Sequence, residues 1–161
     1  LFLEQFMKPL LEDGELLEHI FWYLQEHGVD VNKIGGFGDT VLIYASFKGY
    51  KIVVDQLLKN TNVDINIADT TNGSTALHIA TYSRHVDVVE LLSKNNYVNV
   101  NQKNHLGETA LFIASFFGFT EIVETLLDNQ YINKNKTDED GTTPRRIAAE
   151  KGFRDIVKLL S

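Results

Sequence analysis

The 161-residue chain has no cysteine, which removes disulfides, thiolate nucleophiles and cysteine metal ligands from consideration. A chain without cysteine suits a reducing compartment, and we expect an intracellular, cytoplasmic protein. Proline is nearly absent, with Pro9 and Pro144 the two present, so most of the sequence is free of the residue that most strongly interrupts helices. Basic residues are outnumbered: 15 Lys and Arg face 22 Asp and Glu, a net charge of −7. The pair Arg145–Arg146 stands apart from other cations, so no basic patch for nucleic acid is expected. Long hydrophobic runs are missing too. The most apolar stretch, Thr109 to Phe119, is too short to span a bilayer, and no membrane insertion is expected. The chain opens at Leu1 with no initiator methionine and stops at Ser161, so it reads as an excised fragment whose targeting signals would lie outside it.

What the sequence does contain is a period. A threonine recurs at Thr40, Thr75, Thr109 and Thr143, 34 or 35 residues apart. A glycine precedes each by two positions (Gly38, Gly73, Gly107, Gly141), and an alanine follows each by five (Ala45, Ala80, Ala114, Ala148). Further on come the β-branched pairs Val53–Val54, Val88–Val89, Ile122–Val123 and Ile156–Val157, then Leu57, Leu92, Leu126 and Leu160. Such a period marks supersecondary units that cannot bury their apolar faces alone and must stack. In the unit at Gly73, Asn72-Gly73-Ser74-Thr75 has turn and capping chemistry. Ala76 to Ala80 opens a short helix, and Val86 to Ser93 forms a second with a Val88, Val89, Leu91, Leu92 stripe. Val98 to Asn101 then leads as an extended arm into the next turn.

The frame Gly-x-Thr-x-Leu-x-x-Ala, then Ile/Val-Val-x-x-Leu, then Asp-Val-Asn resembles the ankyrin repeat. It is carried by Thr75 to Ala80, Thr109 to Ala114, Thr143–Pro144 with Ile147–Ala148, Val29 to Asn32 and Val63 to Asn66. The resemblance implies an all-α solenoid of stacked helix–loop–helix units with hairpin-like connecting loops. It further implies a protein–protein interaction scaffold that binds a partner protein through the inner, first-helix face and the hairpin tips, with no catalytic activity of its own. The alternative is a regulatory or targeting segment of a larger multidomain protein, an enzyme or a channel, whose functional domain lies elsewhere. We expect a single domain over 1–161: a divergent N-terminal cap or half repeat at 1–33, repeats at 34–67, 68–102 and 103–136, and a truncated C-terminal repeat at 137–161. A monomer is expected.

Departures from the frame carry their own expectations. Arg84 replaces the interhelical glycine kept at Gly49, Gly118 and Gly152, so it should adopt positive φ at a cost of about 1 kcal/mol. Asparagines at Asn60, Asn95 and Asn129 stand where a second helix ends and are expected to cap it in the left-handed conformation. Lys134 takes a valine's place, so the last hairpin is expected to be frayed or remodelled. In the N-terminal segment, Leu16, Leu17, Ile20, Phe21 and Leu24 form a helical stripe ending at Gly28, with Trp22 beside it as a cap contact.

A catalytic site is not expected, nor a cofactor or a metal. Gly35-Gly36-Phe37-Gly38 lacks the Gly-Lys-Ser/Thr of a phosphate loop, and the five histidines show no paired ligand spacing. His78 is expected to bond the loop backbone. The candidate partner-binding residues are surface ones. Seven positions after the four threonines stand Phe47, Tyr82, Phe116 and then Glu150, with Phe117 following Phe116, and the three aromatics make a ladder suited to an interface. The hairpin tips add Phe37, Asp39, Asn72, His105, Leu106 and Glu108. The ladder reads either as a partner contact or as packing between repeats. Tyr50, His85, Phe119 and Phe153 recur after the interhelical break and are assigned to the framework. The acidic balance favours a neutral or basic partner.

Overall fold

In the computed structural model, residues 30–35 and 38–161 are described. The N-terminal stripe, Trp22 and Phe37 lie outside them. Eight helices follow in pairs: α1 (Val41–Lys48) and α2 (Lys51–Lys59), α3 (Ala76–Tyr82) and α4 (Val86–Lys94), α5 (Ala110–Phe117) and α6 (Thr120–Leu127), α7 (Pro144–Lys151) and α8 (Arg154–Leu159). No strand is present among the described residues, only an isolated antiparallel bridge between Ala68 and Thr75. Helices this short are marginal alone, so their stability must come from packing.

The recurrent residues each do local work. Thr40, Thr109 and Thr143 accept the backbone N–H three residues on, at 3.3, 3.2 and 3.2 Å, satisfying donors that the first helical turn leaves open. Pro144 occupies the first position of α7, where no N–H is needed. The alanines five residues on are fully buried, and the small side chain lets the first helices α1, α3, α5 and α7 pack against one another in one layer. The second helices α2, α4, α6 and α8 form the other, with Val53, Val54, Leu57, Val88, Val89, Leu92, Ile122, Val123, Leu126 and Ile156 between the layers.

Gly49, Gly118 and Gly152 all adopt positive φ at the interhelical turn, and Arg84 joins them at φ 59°, the single non-glycine to do so among the described residues. Glycine has a second reason to be there. A Cβ on Gly118 would come within 2.5 Å of the Phe153 ring from the next pair. At Arg84 the corresponding ring, Phe119, instead lies under the guanidinium at 5.4 Å. The two substitutions should therefore diverge. Gly118→Ala combines left-handed strain with a steric clash and should cost about 1–3 kcal/mol. Arg84→Gly relieves strain of about 1 kcal/mol but loses a cation–π contact of about 0.5–1 kcal/mol, so its stability should change by less than about 0.5 kcal/mol. Urea denaturation of the two variants checks both. Equal losses would show that the turn does not discriminate as described.

Two expectations are corrected. The asparagines after the second helices are not left-handed: Asn60 and Asn95 are extended, at ψ 114° and 123°. Their side chains act instead, with Asn60, Asn95 and Asn129 each accepting the N–H two residues on at 3.0, 2.9 and 2.8 Å. The last hairpin is also formed. Asp138 N–H donates to Thr142 O at 3.0 Å, while Lys134 reaches out to the Ser161 carbonyl at 3.0 Å.

The connecting arms are zipped by a second set of asparagines. Asn66 donates to the Tyr97 carbonyl and accepts from Asn99 N–H, and Asn101 does the same with Tyr131 and Asn133. Asn32 repeats the pattern with Asn62 and Asp64. Among the described residues no helix is long and apolar enough to cross a membrane.

Candidate functional site

The C-terminal ends of the first helices carry a run of rings. Tyr82 meets Phe117 edge-on at 5.0 Å, Phe117 meets Phe116 edge-on at 5.0 Å, and Phe117 stacks on Phe119 at 5.5 Å. Tyr82 is 57% exposed and Phe117 38%, while Phe116 is half-buried with the Lys151 ammonium 4.3 Å above it. Phe47 is 54% exposed and stands apart from this cluster, its ring 5.5 Å from the Lys48 ammonium. The three aromatics seven residues after the threonines thus form no continuous ladder. Phe117, one position further on, is the ring that joins two repeats. Helix spacing identifies which positions face outward, but the ring directions that bring Phe117 to Tyr82 depend on side-chain torsions.

Of the framework aromatics, Tyr50, Phe119 and Phe153 pack partly buried on the core, and His85 Nε2 donates to the Phe47 carbonyl at 3.0 Å.

The hairpin tips are organised by residues absent from the sequence-level candidates. Asp69 accepts backbone N–H bonds from Thr71, Asn72 and Gly73 at 2.9, 2.8 and 3.1 Å. Asn104 takes Leu106 and Glu108 at 2.9 Å each, and Asp138 takes Thr142 at 2.8 Å. An Asp or Asn five or six residues before Thr75, Thr109 and Thr143 was the available signal. Successive tips are joined by Thr70 N–H to Gly38 O, His105 N–H to Asn72 O and Glu139 N–H to Leu106 O, at 3.2, 2.8 and 3.2 Å.

Several tip candidates are engaged in this scaffold. The Glu108 carboxylate accepts from the Asn104 amide at 2.9 Å, and the His105 ring lies against Gly73. Asn72, with its amide nitrogen turned toward Asp69, holds that carboxylate at 2.8 Å. Asp39 is half-buried; burial, followed by the charge of Asp69, raises its carboxyl above the ordinary range. Leu106, at 59% exposure, presents apolar surface to solvent from its tip.

His78 is 2% exposed and fully bonded. Its Nδ1 accepts from the Thr75 N–H at 3.1 Å and meets the Thr75 hydroxyl at 2.8 Å, which assigns the proton to Nε2. Nε2–H then donates to the Gln102 and Glu108 carbonyls at 3.0 and 3.1 Å. Burial lowers the imidazole pKa against the opposing pull of those carbonyls and of Asp69. The unfolded chain therefore takes up a proton near pH 6.5 that the folded chain refuses, so this contribution is complete above about pH 6.5 and is lost as the pH falls below it. The urea midpoint should drop between about pH 7.5 and 5.5, and drop less in His78→Asn. An equal drop in that variant would assign the dependence to another group.

Just past the C-terminal ends of α4 and α6, where the chain enters the connecting arms, Tyr97 and Tyr131 are 81% and 66% exposed and each walls a shallow cleft, of about 400 and 330 Å³. Among the described residues no three His, Cys, Asp or Glu side chains gather in a metal-binding arrangement.

A family model described as ankyrin repeats (three copies) matches residues 11–104 and 94–161. No curated protein matches the chain.

Proposed function

The chain belongs to the ankyrin repeat family, whose members generally serve as protein–protein interaction modules and are typically non-catalytic, and on that premise we propose that it is a scaffold binding a partner protein through its first-helix face. The observation that carries this reading is the cluster of Tyr82, Phe116 and Phe117, in which rings from two repeats meet at a solvent-facing surface. Rings left exposed in this way have the composition of an interface hot spot, large and rigid with little entropy to lose. Leu106 and the neighbouring tips Asp39, Asn72, His105 and Glu108 would flank the partner, and Phe47 would extend the surface toward the N-terminal side. On this reading the module acts as a monomer without cofactor or chemistry of its own.

Affinity capture from an extract of the producing cells tests the proposal. The immobilised wild-type chain should retain a partner that the folded Tyr82→Ala/Phe117→Ala variant does not. Retention of the same partner by both would place the interface on another surface.

A further inference from the structure

Arg84 departs from the repeat at the interhelical turn, a left-handed position that glycine adopts without strain. It holds φ 59° and is exposed, with its guanidinium 5.4 Å over Phe119. Asp55 pairs with Lys59, Glu90 with Lys94, Glu150 with Arg146 and Asp155 with Lys158. Among the described residues neither Arg84 nor Lys151 has a carboxylate within ion-pair distance. Asp87 and Glu121, in the first turns of α4 and α6, form no ion pair with Arg84.

These two cations cover the two ends of one aromatic cluster. Arg84 lies over Phe119, Phe119 stacks on Phe117, Phe117 meets Phe116, and Lys151 lies over Phe116. Although the chain carries a net charge of −7, two cations thus lie over one aromatic cluster, which locally favours an acidic segment where the overall balance favours a neutral or basic partner. The helix dipole accounts for a cation in the last turn of α7, where Lys151 sits. It does not account for an arginine at a left-handed position, since a lysine on the helix itself would serve the dipole without strain.

Resting on the reading of this face as the docking surface, we propose that its occupant is a linear segment of a partner protein with an apolar residue between acidic ones, and that Arg84 selects it by binding a carboxylate. Arginine suits the task because its planar fork can donate two parallel N–H bonds to one carboxylate while its face remains on Phe119. The contacts joining the two cations keep them within about 20 Å of each other. An extended chain rises about 3.3 Å per residue, so the acids that meet Arg84 and Lys151 lie within about six positions of one another.

Panning a random 16-residue phage-displayed peptide library on the 161-residue chain tests this. Selected sequences should be enriched in Asp or Glu flanking an aromatic or aliphatic residue. A synthetic peptide of the most enriched sequence should bind Arg84→Gly and Arg84→Glu at least about tenfold more weakly than wild type, with Arg84→Lys between. Its affinity should also fall between about 50 and 500 mM salt. Thermal melts of each variant exclude unfolding, and Arg84→Gly serves if the charge reversal disturbs the fold. Peptides that depend on Tyr82 and Phe117 but carry no acidic enrichment, or that bind Arg84→Glu as tightly as wild type, would overturn the acidic selection alone. Peptides indifferent to Tyr82 and Phe117, or a library yielding no enriched sequence, would overturn the docking face as well.

Discussion

Leu126→Ala should lower the unfolding free energy by about 2–5 kcal/mol, and Leu92→Ala by a similar amount. Both leucines have no solvent exposure and close the interior of a second helix, α6 and α4 respectively. Each helix has a neighbour on both sides, α2 and α6 around α4, α4 and α8 around α6. A cavity at either leucine therefore weakens contacts within its own repeat and with adjoining ones, and in a stack held by nearest-neighbour interfaces that loss spreads. Leu160 offers an internal comparison. It occupies the equivalent sequence position but packs in the last helical pair at 5% exposure, so Leu160→Ala should cost less than either. Urea unfolding of the three variants measures the series. A loss below about 0.5 kcal/mol for Leu126→Ala, the level of an ordinary surface substitution, would contradict the packing described.

The repeat made much of this architecture legible before any coordinates. Threonine caps, buried alanines and β-branched pairs answer to local chemistry that returns every 34 or 35 residues, and the positive φ at Arg84 followed from its alignment with three glycines. What was not legible depends on choices that one residue type leaves open. Asn60 and Asn95 could end a helix either by adopting a left-handed backbone or by accepting an N–H with the side chain, and both take the second route. Lys134 suggested a disturbed hairpin, yet Asp138 organises that turn through its own carboxylate. The candidate surface was visible as exposed aromatics, but its composition was not. Phe117 rather than Phe116 meets Tyr82, and the cations over the rings oppose the charge of the whole chain.

Replacing Tyr82 and Phe117 together by Ala should weaken partner binding by at least about 2 kcal/mol, roughly thirtyfold, as hot-spot truncations do. The fold should survive. Both rings are substantially exposed, and their edge-on contact is worth about 0.5–1.5 kcal/mol beyond area, with the Phe117 stack on Phe119 adding a comparable amount. For a chain of this size each kcal/mol moves Tm by about 2–4 °C, so a fall of several degrees is expected rather than unfolding at ambient temperature. Tyr97 and Tyr131 supply the control, because they are more exposed than either ring and follow the C-terminal ends of the second helices, whereas Tyr82 and Phe117 end the first ones.

The most direct measurement titrates the purified partner against three chains by calorimetry at a temperature where all are folded: wild type, Tyr82→Ala/Phe117→Ala and Tyr97→Ala/Tyr131→Ala. Binding should be lost or weakened at least about thirtyfold in the first double variant and unchanged in the second. Unchanged affinity in the first, or loss confined to the second, would contradict the assignment of the first-helix aromatic face as the binding surface.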